Sequence, residues 1–135
     1  MNRFRQLLSL LMVQASLVAC TGMAVTVKDD AQTVTARAQQ RWDLLLASDL
    51  DHAYGFLSPG ARAMRSLEQY KGSIKLGLWR TAKAESVECS ATRCTVSVRV
   101  GYIYQGKASG KVEGESLLQE IWIKENGSWW LVPLQ

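Results

Sequence analysis

The sequence predicts an α+β domain in which N-terminal helices pack on a curved, four-stranded antiparallel sheet. Three observations predict it. Apolar residues recur at helical spacing from Val34 to Leu45 and again over two shorter stretches. From about residue 82 the pattern changes to alternation, the period of a strand. Asn126-Gly127 then separates two apolar runs, the strongest short-range hairpin signal a sequence carries. A chain of 135 residues, 47% hydrophobic and 21% charged with 2 prolines, supports one globular domain once any targeting segment is set aside. No repeat of 20–50 residues is present, which excludes solenoids and propellers.

Residues 1–19 are expected to lie outside the fold. Arg3 and Arg5 form a basic head, and Leu7 to Ala19 is mostly apolar, with Ser9, Gln14 and Ser16 within it, and too short to span a bilayer. Small residues close the segment, the pattern of a secretory signal peptide. Leu17-Val18-Ala19-Cys20 resembles the bacterial lipobox. That resemblance implies cleavage before Cys20, diacylation of its sulfur and acylation of its new amine. An ordinary signal peptide cut nearby is the alternative. Two or more acyl chains hold a protein stably at a membrane where one holds it marginally. Loss of Arg3 and Arg5 leaves 14 basic residues against 12 acidic ones, so the charge falls from +4 to near +2. With no basic run or aromatic-basic stripe, a nucleic-acid partner is not expected.

The cysteines agree with export. With Cys20 modified, Cys89 and Cys94 remain, flanking Ser90-Ala91-Thr92-Arg93 between two alternating runs. A turn there sets them opposite each other, and exported thiols usually pair. Metal binding is the rival, but this pair needs further ligands, and His52, the chain's 1 histidine, is far off in sequence. A disulfide is therefore expected, with no metal and no cofactor.

Each element follows from its residues. Thr21 to Lys28 has no helical period and reads, with Cys20, as a tether (20–28). The domain then occupies 29–135. Asp29 and Asp30 suit the cap and first turn of a helix to about Ala47. Val34, Ala38, Trp42 and Leu45 form its apolar stripe, with Arg37, Arg41 and Asp43 off it. A second helix from Ser48 or Asp49 buries Leu50, Ala53, Tyr54 and Leu57, and Ser58-Pro59-Gly60 breaks it. Ser66 and Gln69 make a capping-box pattern for a third. Residues 82–89 form a modest strand and 94–104 a strong one, Val96, Val98, Val100, Tyr102 and Tyr104 on one face. Cys89 opposite Cys94 puts Val87 opposite Val96. Residues 105–114 read as a long glycine-rich loop. Residues 115–124 and 128–134 are the last two strands.

The Asn-Gly hairpin assigns neighbours and faces. Trp122, Trp129 and Leu131 fall on one side; Ile121, Ile123, Trp130 and Val132 on the other. Helices can cover one face, leaving the other partly wet or an interface. Trp122, Trp129, Trp130 and Ile123 are the candidate pocket or interface residues.

Four stretches, 41–59, 66–79, 87–100 and 120–133, carry a resemblance to the nuclear transport factor 2-like superfamily. It implies a cone with a pocket at its wide end, and no particular activity. Enzymes of that superfamily usually place Asp–His or Asp–Tyr pairs in the cone, whereas these strands contribute neither histidine nor aspartate. Glu120 is the one carboxylate centred in a strong strand. Among tryptophans it could act as a base, with Tyr102 or Tyr104 as donor. His52 belongs on the surface, and Arg62 with Arg65 could meet an acidic ligand or lipid headgroup. The expectation is a non-catalytic, lipid-anchored domain facing the periplasm of a Gram-negative envelope, membrane-bound through Cys20. It would bind a partner protein or small apolar ligand. Thr21 after the lipidated cysteine favours the outer membrane. The alternatives are an acid–base enzyme using Glu120 with a tyrosine, and a homodimer joined through Ile123 and Trp130.

Overall fold

The computed structural model describes residues 21–108 and 110–133. The segment expected to be a signal peptide (1–19) and Cys20 lie outside the described residues. The fold is α+β: helices packed against an open four-stranded antiparallel sheet of order β1-β2-β3-β4. The elements are α1 (Thr21–Leu46), α2 (Leu50–Tyr54), α3 (Pro59–Met64), α4 (Leu67–Ser73), β1 (Trp79–Cys89), β2 (Arg93–Gly106), β3 (Gly110–Glu125) and β4 (Ser128–Val132).

α1 buries the expected stripe of Val34, Ala38, Trp42 and Leu45 against the sheet. It is helical from Thr21, the first described residue, so residues 21–28 of the segment read as a tether are helix. Propensity is a weak prior, and a helix already anchored by its stripe propagates through β-branched residues at small cost. Asp30 is therefore not a cap. Its carboxylate instead accepts from Lys124 Nζ at 2.9 Å and from Trp129 Nε1 at 3.0 Å. Those two donors, Trp129 first, hold it below the usual carboxylate range.

Asp49 caps α2 and Ser66 caps α4, whose capping box with Gln69 is complete. Between them Ser58-Pro59-Gly60 does more than end a helix. Ser58 accepts from Ala61 N–H and Pro59 takes the first helical position, so the same residues start α3, and the described residues hold four helices rather than three.

The sheet keeps the expected registers: Val87 opposite Val96, Ile123 opposite Trp130, Lys124 opposite Trp129. A disulfide joins Cys89 and Cys94. Asn126 and Gly127 both adopt positive φ, as a two-residue primed turn demands. The expected loop at 105–114 is corrected: 105–106 and 110–114 are strand, with Gly106 opposite Gly110 and Tyr102 opposite Gly114, and 107–108 form the turn. Tyr102 makes the glycine tolerable in a strand: its ring lies where a Gly114 Cβ would be, 2.7 Å from the hydroxyl.

Both sheet edges are occupied from the N-terminal half. The segment Phe56–Ser58 runs parallel beside β4, with Ser58 N–H donating to Leu131 O and Leu131 N–H to Phe56 O. On the opposite edge the Gln39 amide substitutes for a missing strand. It accepts from Ala84 N–H at 2.9 Å and donates to Ala82 O at 3.1 Å.

Candidate functional site

The helix-covered face of the sheet contains Glu120, which is 8% exposed. Strand alternation points it inward beside Trp122, and α1 brings Arg41 and Trp42 over it. Arg41 Nη1 donates to Oε1 at 2.6 Å and Trp42 Nε1 to the same oxygen at 2.8 Å. Trp122 Nε1 donates to Oε2 at 3.2 Å. Burial raises the carboxyl above its ordinary value, outweighing the opposite pull of Arg41 and the two indoles. No tyrosine donates to it, and it lines none of the described cavities. Tyr102 is engaged elsewhere, covering Gly114 and meeting the Trp79 ring edge-on; Tyr104 is exposed. Every partner of Glu120 is a donor that favours its charged form, and none is placed to exchange a proton with a substrate. The cluster ties α1 to the sheet.

The opposite face divides into two regions. On β1 and β2 it carries Glu85, Thr95, Ser97 and Arg99, with Arg99 and Glu85 paired at 2.7 Å. Towards β3 and β4 it carries half-buried Ile121, Ile123, Trp130 and Val132. The Phe56–Ser58 segment rounds the β4 edge and delivers α3 to this apolar end. Between α3 and the strands lies a groove of about 620 Å³, lined by Leu57, Ala61, Met64, Ile123, Val132 and Pro133 with Ser58, Gly60 and Arg65. Met64 is 81% exposed at its mouth.

Three arginines lie at this groove or at the Trp130 ring beside it. Arg65 lines it. Arg62 stands over the Trp130 ring at 5.4 Å and Arg37 reaches the same ring at 5.7 Å. Arg37 also donates from Nε to Trp129 O at 3.0 Å, next to the point where Phe56–Ser58 leaves the β4 edge. Burial pulls its guanidinium below the ordinary value. None of the three joins an ion pair among the described residues. Arg62 Nε is buried with no hydrogen-bond partner among the described residues.

The four bulky candidates are thus placed apart. Trp122 and Trp129 are core residues beneath the helices, while Ile123 lines the groove and Trp130 flanks it under the guanidiniums. His52 is exposed and paired with Asp49 at 2.8 Å. Arg37 and Arg41, read from the sequence as lying off the α1 stripe, both turn inward: one to the β4 edge, the other to Glu120. Their only local signal is a position flanking the stripe, from which a long side chain can reach either way.

Among the described residues no group of three or more histidine, cysteine or carboxylate side chains converges as a metal site. No described helix is long and apolar enough to cross a membrane. No protein-family model matches the chain, and no curated protein matches it.

Proposed function

We propose that the chain is a lipid-anchored, non-catalytic binding module of a Gram-negative envelope, facing the periplasm from the outer membrane. In this proposal its helices and sheet form the cone of a nuclear transport factor 2-like domain. Binding takes place on the uncovered sheet face, in the groove beside α3. One observation carries the proposal: an apolar groove lined by Arg65 beside a tryptophan that Arg62 and Arg37 approach, none of the three paired with a carboxylate among the described residues. The engagement of Glu120 by Arg41 and two indoles supports a structural role for that carboxylate.

Two measurements test it in the full chain expressed in a Gram-negative host. Metabolic labelling with an alkyne fatty acid should mark the wild type and spare Cys20→Ser, which should also leave the membrane fraction. A photo-crosslinking residue at Ile123, in the groove, should give an adduct that the same residue at Ser97, on the polar part of the face, does not. Labelling that survives Cys20→Ser overturns the anchor. Equal yields at both positions, or none at Ile123, overturn the binding face. An adduct of twice the chain mass assigns the face to a homodimer instead.

A further inference from the structure

We infer that the groove beside α3 takes one acyl chain bearing an acidic head, a single-chain carboxylate amphiphile, with the chain between α3 and the β3–β4 end and the head at Arg65 and Arg62. This rests on the reading that the uncovered sheet face is the binding face. Volume comes first: about 620 Å³ lies within the range of roughly 300–1,000 Å³ typical of small-ligand sites. The walls at Leu57, Ala61, Ile123, Val132 and Pro133 offer dispersion contacts and no charge, which suits a hydrocarbon chain.

Charge specifies the head. Among the described residues Arg65 is the only ionisable one lining the groove, and no described carboxylate lines it. Arg62 and Arg37 stand at one indole ring without a counter-ion among the described residues. The buried Arg62 Nε has a proton to donate and no acceptor among the described residues. Planar guanidinium groups match carboxylate oxygens, and an anion here would also relieve the mutual repulsion of the cations. Ser58, buried at the groove wall, already accepts from Ala61 N–H, which leaves its own proton to donate.

The same geometry argues against other occupants. A partner peptide adding as a strand needs an open edge, and beside the groove the β4 edge is already bonded at Leu131 to Phe56 and Ser58.

The test uses the full chain carrying Cys20→Ser, so that no covalent acyl group competes. Sodium dodecanoate and dodecyltrimethylammonium bromide, each below its micelle threshold, are titrated against the ¹⁵N-labelled protein. Dodecanoate should give saturable amide shifts at Ala61, Met64, Ile123 and Val132. The cationic amphiphile, with the same chain, should bind at least about tenfold more weakly. Arg65→Glu and Met64→Glu alter exposed positions, so their folds should persist by shift dispersion while dodecanoate affinity falls about tenfold or more. Equal binding of the two amphiphiles, shifts scattered away from the groove, or affinity unchanged in Arg65→Glu overturns the inference. If dodecanoate fails while Ile123 still crosslinks in cells, the ligand class is wrong and the binding face stands. If Ile123 gives no adduct, the face itself is wrong.

Discussion

Glu120→Leu should be among the most destabilising single changes in the domain. It leaves the Arg41 guanidinium, 8% exposed, without its anion, and the Trp42 and Trp122 N–H groups without their acceptor. Removing one partner of a buried pair destabilises by about 3–5 kcal/mol. Each orphaned neutral donor adds about 1 kcal/mol or more, although contributions from one cluster do not sum. Small domains have only about 5–15 kcal/mol in total. At a urea slope of about 1.5 kcal/mol/M, a loss of 3–5 kcal/mol moves the unfolding midpoint by roughly 2–3 M. The measurement is urea unfolding followed by tryptophan fluorescence, with circular dichroism as a second probe. Arg41→Met combined with Glu120→Leu should recover most of the loss, because the pair is imperfectly satisfied: Arg41 Nε is buried with no partner among the described residues. A midpoint shift under about 0.5 M for Glu120→Leu would refute the view that this cluster clamps α1 to the sheet.

Two carboxylates should give opposite pH limbs. Asp30 is held below its ordinary value by Trp129 and Lys124, so its stabilisation is present above the unfolded pKa and lost as pH falls through the folded one. Glu120 is held above its ordinary value by burial, so its contribution is greatest at acid pH and declines as pH rises through the folded pKa. Melting temperatures across pH 2–7 should therefore show a shallower acid loss for Asp30→Asn. Glu120→Gln should show a smaller decline above the ordinary carboxylate range; parallel curves for all three proteins would contradict both assignments. Gln39→Ala removes the two bonds that occupy the β1 edge and should lose about 1–2 kcal/mol in denaturant titration. It should also raise self-association in sedimentation velocity, whereas unchanged sedimentation would show that α1 alone protects the edge. Gly114→Val should displace the Tyr102 ring and lose about 1–3 kcal/mol. A wild-type midpoint for that variant would mean the ring is free to move aside.

Much of the sheet was legible because strand alternation and a two-residue turn leave no freedom. Once Asn126-Gly127 is the turn, every pair from Lys124–Trp129 to Ile121–Val132 follows, and likewise Val87–Val96 follows from Cys89–Cys94. The stripe from Val34 to Leu45 was legible for the same reason. What escaped depends on partners distant in the chain. Arg41 is an ordinary helix-surface residue until Glu120, 79 positions away, is placed beneath it. Arg37 belongs to the candidate site only because the Phe56–Ser58 segment crosses the β4 edge and carries α3 to Trp130. Two misses had local signals that admit two meanings. Ser58-Pro59 both stops and starts helices, and the glycines at 106, 110 and 114 mark a loop unless an aromatic neighbour such as Tyr102 covers one of them.

Because the two borders of the sheet are sealed by Gln39 and by Phe56–Ser58, neither half of the molecule can mature alone. The helical half would present an exposed apolar stripe, and the strand half two raw margins ready to pair with copies of themselves. The joining contacts at Arg41–Glu120 and Asp30–Lys124 span 79 and 94 residues, so assembly must await long loop closures and should be slow for a protein of this size. Separately expressed segments 21–76 and 77–135 should therefore each be insoluble alone and recover native circular dichroism only when refolded together.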